Sequence, residues 1–283
     1  MTRPSFLTQL AASWTRSDSL VCVGLDPEIE RFPSLVAGHP SPIFQFNRAI
    51  IDATAELVCA YKPQFAHYAA YEAEDQLERT IEYIHRTYPG VPVILDSKRG
   101  DIGNTAERYA IEAFERYGAD AVTVNPYLGG DALEPFLRWE DRGVVVLCRT
   151  SNPGGRDLQD LEVAPGVGQG GRRLYHLVAE LTARRWNTRG NCLLVVGATY
   201  PKELAEIRQL VGDMPLLVPG VGAQGGDVAE VVRNGQTSAG TGLIVSSSRG
   251  VLYASTGDDF ASAARGAVLA LREEINAHRR RRP

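Results

Sequence analysis

The sequence predicts an α/β fold, a single-domain (β/α)8 barrel, on three observations. Short β-branched runs recur along the chain, stretches of helical length and period separate them, and polar or charged residues gather where the runs end. Three charges, Asp96, Lys98 and Asp101, follow one of these runs, and a plain structural element has no need of them.

In chain order the runs are Leu20 to Leu25, Leu57 to Tyr61, Val91 to Leu95, Ala121 to Val124, Val144 to Cys148, Cys192 to Val196, Leu216 to Val218 and Leu243 to Val245. Their unbroken apolar character suits a parallel sheet buried on both faces. Eight such units favour a closed barrel over an open doubly wound sheet. The helical candidates between them are Ile43 to Glu56, Gln76 to Thr87, Ala106 to Tyr117, Arg172 to Arg185, Pro201 to Leu210 and Asp227 to Arg233. Residues before Leu20 predict a short N-terminal helix closing the barrel floor, and Phe260 to about His278 predicts the last helix of the outer ring. No linker suggests a second domain, so residues 1–283 read as one barrel, with a basic tail, Arg279 to Arg282, expected to be solvated and frayed.

Length and composition agree with one barrel of soluble type: 283 residues, 44% hydrophobic and 23% charged. A net charge of −4 gives no basic surface for nucleic acid. The start, Met1 to Trp14, is too polar for a signal-peptide core, and no apolar run approaches a membrane span, so the expected location is the cytoplasm. Cys22, Cys148 and Cys192 lie inside apolar strands and Cys59 lies beside one, without Cys-x-x-Cys spacing; they read as small buried hydrophobes of a reducing compartment. His39, His67, His85, His176 and His278 are scattered, and no metal signature emerges.

In a barrel the C-terminal strand ends share one rim, and that rim carries the active site. Strand one ends in Asp26, strand two in Lys62, strand three in Asp96 and Lys98, strand four in Asn125, strand five in Thr150 and Ser151, and strand eight in Ser247, Ser248 and Arg249. The most charged stretch is Val91 to Thr105, where an apolar strand runs into Asp96, Lys98 and Asp101. On an extended backbone Asp96 and Lys98 point to the same side. Such charges are costly unless they face one another or a ligand. An ordinary ion pair at a strand end is one reading. The other is an ammonium held between two carboxylates at the floor of a site, a proton donor in waiting.

After strand seven, Pro219-Gly-Val-Gly-Ala-Gln-Gly-Gly-Asp227 leads into a helix. Glycines such as Gly220 let backbone approach an anion, amides at a helix N-terminus point outward, and Gln224 could reach the same group. Arg249 adds a guanidinium able to grip phosphate in two places. Loops after strands seven and eight are the usual phosphate site of such barrels. The segment Ser151 to Gly171 is long for a connection and is expected to be a mobile cover over the rim.

These residues resemble a known family. Asp96-Ser-Lys98-Arg-Gly-Asp101-Ile-Gly-Asn-Thr105 looks like the Asp-x-Lys-x-x-Asp signature of orotidine 5'-phosphate decarboxylase. Phe46-Asn-Arg48, Tyr61-Lys-Pro-Gln64, Val124-Asn125-Pro-Tyr-Leu-Gly-Gly-Asp131, Arg149-Thr-Ser-Asn-Pro-Gly154 and Pro219 to Gly226 are similar to its longer bacterial subfamily, type 2. The likeness runs from about Val23 to Arg249; Phe65 to Glu72, after the Lys62 strand, departs from the family's usual wording. The resemblance implies a carboxy-lyase that converts orotidine 5'-phosphate to UMP and carbon dioxide without a cofactor, the last step of de novo UMP synthesis. By the same resemblance Lys62, Asp96, Lys98 and Asp101 form the charged tetrad, and Asp101 and Thr105 reach into the partner's site of a homodimer. Asp26 and Lys62 would contact ribose, Ser151 or its neighbour Thr150 the pyrimidine, and Gln224 and Arg249 the phosphate, with Asn125, Gly220 and Ser248 as further substrate contacts.

The chemistry suits the residues. Losing carbon dioxide from the pyrimidine leaves an electron pair at carbon 6 with no adjacent sink, so a cation must already stand there. Lys98 would stabilise that carbanion and then protonate it. Two rivals share the scaffold: a metal-dependent sugar-phosphate decarboxylase, which needs extra carboxylates where Lys62 and Gln64 stand, and a non-catalytic nucleotide-phosphate-binding barrel.

Overall fold

The computed structural model describes residues 3–164, 172–221 and 226–280. Its centre is an eight-stranded parallel sheet. The strands are β1 (Val21–Leu25), β2 (Ala60–Pro63), β3 (Ile94–Arg99), β4 (Ala121–Val124), β5 (Gly143–Arg149), β6 (Cys192–Val196), β7 (Leu216–Pro219) and β8 (Leu243–Ser247). Each pairs with its sequence neighbours, and β1 pairs with β8 through Val21 opposite Val245. Two isolated bridges, Tyr61 to Val93 and Gln64 to Asp96, join β2 to β3 and bring the sheet round into a barrel. All five residues of β1 and of β6 are buried, as strands covered on both faces require.

Helices form the outer layer: Pro42–Thr54, Glu74–Thr87, Gly103–Ile111, Gly130–Leu137, Leu174–Leu181, Pro201–Val211, Val228–Gly235 and Phe260–His278. The helix Phe6–Ser17 precedes the barrel, with Ser5 capping it by accepting the Thr8 amide. Its Phe6, Leu10 and Trp14, spaced four apart, are buried on one face, and the Phe6 amide donates to Asp141 O just before β5. It lies at the N-terminal ends of the strands, as expected of a floor. The four cysteines are buried in the core, where desolvation pushes the Cys22, Cys148 and Cys192 thiols up to about 12.

Several expectations change. β2 begins at Ala60 rather than Leu57, and β3 runs on through Lys98 to Arg99 instead of stopping at Leu95. The helix Gly130–Leu137 was not predicted because it holds Pro135; with only eight residues it loses one ladder bond to the missing N–H. The start of the basic tail is anchored, not frayed. Arg279 Nε donates to Gly240 O at 2.8 Å and its guanidinium reaches Asp18, while the Arg280 amide donates to Gln236 Oε1. Arg281 and Arg282 lie outside the described residues.

Candidate active site

The site begins with a kink. β3 is extended as far as Ser97, but Lys98 has φ +47°, a left-handed conformation uncommon for a side-chain-bearing residue. Thr123 of β4 holds it: its Oγ accepts both the Ser97 and Lys98 amides, at 3.0 and 2.9 Å, and donates to Asp96 Oδ1 at 2.9 Å. The β3–β4 register shifts between Leu95 and Arg99 to accommodate the turn. Lys98 Nζ then folds back onto Asp96 Oδ1 at 2.7 Å. Asp96 and Lys98 therefore do meet, through this kink and not through plain strand alternation.

Lys62, at the end of β2, donates to the other oxygen, Asp96 Oδ2, at 2.9 Å and stands 3.8 Å from Asp26 of the β1 loop. The result is a line of alternating charge, Asp26, Lys62, Asp96, Lys98. Burial alone would raise the Asp96 carboxyl; the Lys62 charge, then that of Lys98, with hydrogen bonds from both, hold it far below the usual carboxylate range. For Lys62 burial pulls toward the neutral amine, and Asp26 and then Asp96 reverse this and keep it charged above the ordinary lysine value. Lys62 is nearly sealed, its side chain 6% exposed, whereas Lys98 is 45% exposed and faces open space. One lysine is fixed in the wall and the other is available to a ligand.

Asp101 does not flank Lys98 within the chain. Its Oδ1 accepts the Ile102 amide at 2.8 Å, and among the described residues Lys98 pairs with Asp96. The loop after β3 turns outward, which leaves Thr105 exposed on the helix Gly103–Ile111. Asn125 is exposed as well, and its Oδ1 accepts the Tyr127 amide to cap a short turn. Beside these three stand exposed apolar side chains, Ile102, Tyr127 and Leu128.

A cleft of about 350 Å³ is lined by Asp26, Lys62, Asp96, Gly220, Ser248 and Arg249, while Lys98 reaches it only through its bond to Asp96. Gly220 has φ +93°, which favours glycine and exposes its backbone to the cleft. Ser248 Oγ is buried with no hydrogen-bond partner among the described residues, and Arg249 is exposed without an ion pair there. The helix following β7 departs from expectation: it starts at Val228, and Asp227 caps it by accepting the Glu230 amide. One amide of its first turn is thus taken by a carboxylate, and among the described residues the anion-binding candidates on this side are Gly220, Ser248 and Arg249. Gln224 lies outside the described residues.

After β5, Thr150 is committed locally. Its amide donates to Gln159 Oε1 and its hydroxyl accepts from Gln159 Nε2 at 2.8 Å. Ser151 packs so closely on Gly197 that a Cβ there would lie 2.8 Å from the Ser151 backbone. The expected cover rises from here as a short helix, Arg156–Gln159, and an antiparallel pair, Glu162–Val163 with Arg172–Arg173. Its Gly-rich centre, residues 165–171, lies outside the described residues.

Sequence reasoning placed Gln64 and Ser247 at the rim, and missed Glu28, His67 and Ser246 in the cleft wall and Thr123 beneath it. A hydroxyl in the otherwise apolar run Ala121 to Val124 was the available signal for Thr123.

Known proteins are similar to this chain along most of its length. The family model described as orotidine 5'-phosphate decarboxylase / HUMPS family matches residues 19–265. Orotidine 5'-phosphate decarboxylase of Azoarcus sp. strain BH72 is 60% identical over 274 residues, covering 97% of this chain and 99% of its own. That of Cupriavidus necator is 59% identical with the same coverage. The solved Leishmania donovani OMP decarboxylase superposes with a TM-score of 0.83 at 38% identity, covering 97% of this chain and 98% of its own. At 18% identity the Methanocaldococcus jannaschii enzyme, TM-score 0.64, shares the fold. With the barrel, the charged line and full-length relatives in agreement, the chain belongs to the orotidine 5'-phosphate decarboxylase / HUMPS family.

Proposed function

We infer that this barrel performs the reaction for which its relatives are named. It is a carboxy-lyase that decarboxylates orotidine 5'-phosphate to UMP and carbon dioxide. The observation that carries the reading is the pairing of a half-exposed Lys98 with a buried, ionised Asp96, at the edge of a cleft whose far wall offers Gly220, Ser248 and Arg249 to an anion.

In this reading the phosphate rests against Gly220, Ser248, Arg249 and Gln224, ribose against Asp26 and Lys62, and the pyrimidine against Ser151. Lys98 stands where carbon 6 becomes negative, stabilises the carbanion and then delivers its proton. Asp96 keeps that ammonium in place through the 2.7 Å bond. Lys62 supports Asp96 from behind, so charge is arranged before substrate arrives and little reorganisation remains. Asp101, Thr105 and Asn125 act from the outer shelf, where Asp101 and Thr105 enter the site of a second copy. The exposure of Thr105 and Asn125 beside Ile102, Tyr127 and Leu128 supports a homodimer through this face. The whole chain, 1–283, works as one barrel domain, and its place is the cytoplasm; among the described residues no helix is long and apolar enough to cross a membrane.

The direct test follows the ultraviolet band of orotidine 5'-phosphate mixed with purified protein and a chelator, with no metal added. Loss of the band supports the reading. A band that persists until a divalent metal is supplied favours a metal-dependent decarboxylase, and UMP binding without turnover favours a binding barrel.

A further inference from the structure

The loop after β1, which carries Asp26, is held by side chains from distant elements. Tyr68 OH donates to Leu25 O at 3.1 Å, and His67 Nδ1 lies 3.1 Å from Pro27 O. The third clasp is Tyr253. Its hydroxyl accepts the Glu28 amide at 2.6 Å and donates toward Asp26 O at 3.3 Å. Its own amide donates to Arg249 O at 3.2 Å, so it closes the single helical turn Arg249–Leu252. The ring is fixed too, with the Arg31 guanidinium 3.7 Å from its centroid and Phe46 stacked at 6.0 Å.

One side chain therefore joins two walls of the cleft: the Arg249 turn on the anion side and the Asp26 loop on the side of the charged line. We propose that Tyr253 is a positioning residue that couples the anion-binding turn at Arg249 to the carboxylate of Asp26. Asp26 Oδ1 makes no hydrogen bond among the described residues and stands 3.8 Å from Lys62, so its place depends on the loop backbone; of the three clasps on that backbone, Tyr253 is the one that also bonds the Arg249 turn. A phosphate pulling on Arg249 is felt at Asp26 through one phenol. This rests on the reading of Asp26 and Arg249 as substrate contacts, and the test separates the two.

Tyr253→Phe removes the hydroxyl and keeps the ring contacts. With orotidine 5'-phosphate, kcat/KM is expected to fall about tenfold, as for loss of a bonded hydroxyl, while the melting midpoint changes little. In an Asp26→Asn background the same substitution is expected to change kcat/KM by less than about twofold, because nothing remains for it to position. A Tyr253→Phe enzyme with unchanged kcat/KM, or a full tenfold loss that persists in Asp26→Asn, overturns the coupling. If Asp26→Asn alone turns over like the parent, it is the assignment of Asp26 to the site that fails, and the coupling falls with it.

Discussion

Replacing Asp96 with Asn tests the charged line most severely. The carboxylate takes three donors, Lys62 at 2.9 Å, Lys98 at 2.7 Å and Thr123 at 2.9 Å, and its residue is 7% exposed. An amide of the same shape keeps one acceptor and brings in an NH₂ facing an ammonium. The sealed Lys62 is left with Asp26 at 3.8 Å. Removing one partner of a buried ion pair costs about 3–5 kcal/mol because the other charge stays uncompensated. The Lys98 bond adds under about 1 kcal/mol, since that side chain is 45% exposed and solvent screens it. Urea unfolding of Asp96→Asn is therefore expected to show a loss of about 3–5 kcal/mol. Adding Lys62→Met should recover part of it by removing the stranded charge. A loss below about 1 kcal/mol, or a double variant less stable than Asp96→Asn, would refute the claim that the line is a buried and mutually dependent unit.

The same pair sets a pH dependence. Asp96 is depressed in the fold, so its stabilisation is complete above the ordinary value of 3.8 and is lost as pH falls below it; Lys62 is raised, so its share is complete below 10.5 and is lost as pH climbs beyond it. Melting midpoints across pH should show both limbs, and the acid limb should flatten in Asp96→Asn. Arg249→Ala should lower UMP affinity about 10- to 100-fold, the worth of one charged hydrogen-bonding group, and leave uridine affinity unchanged in calorimetric titration; equal losses for both ligands would move Arg249 away from the phosphate.

What was legible in the sequence follows from distance along the chain. Asp96 and Lys98 are two residues apart on one strand, and the strand-end positions of Asp26, Lys62 and Arg249 follow from barrel geometry alone. Thr123 and the Lys98 kink were hidden because they depend on the register between β3 and β4, which no local pattern encodes. Tyr253 was hidden for the same reason, its partners lying more than two hundred residues earlier. The start of the helix after β7 turned on a detail of capping: Asp227 reads equally well as the end of a Gly-rich loop or as a helix cap, and the fold uses it as a cap. Asp101 is close to Lys98 in sequence, yet the chain turns outward between them and one oxygen of its carboxylate accepts the Ile102 amide.

The central claim is that the Lys98 ammonium both stabilises and protonates carbon 6. Its most direct measurement is single-turnover decarboxylation by Lys98→Ala, run beside a UMP titration of the same protein. Loss of the orotate band is expected to become undetectable while UMP still binds. Turnover at the parent rate would contradict it.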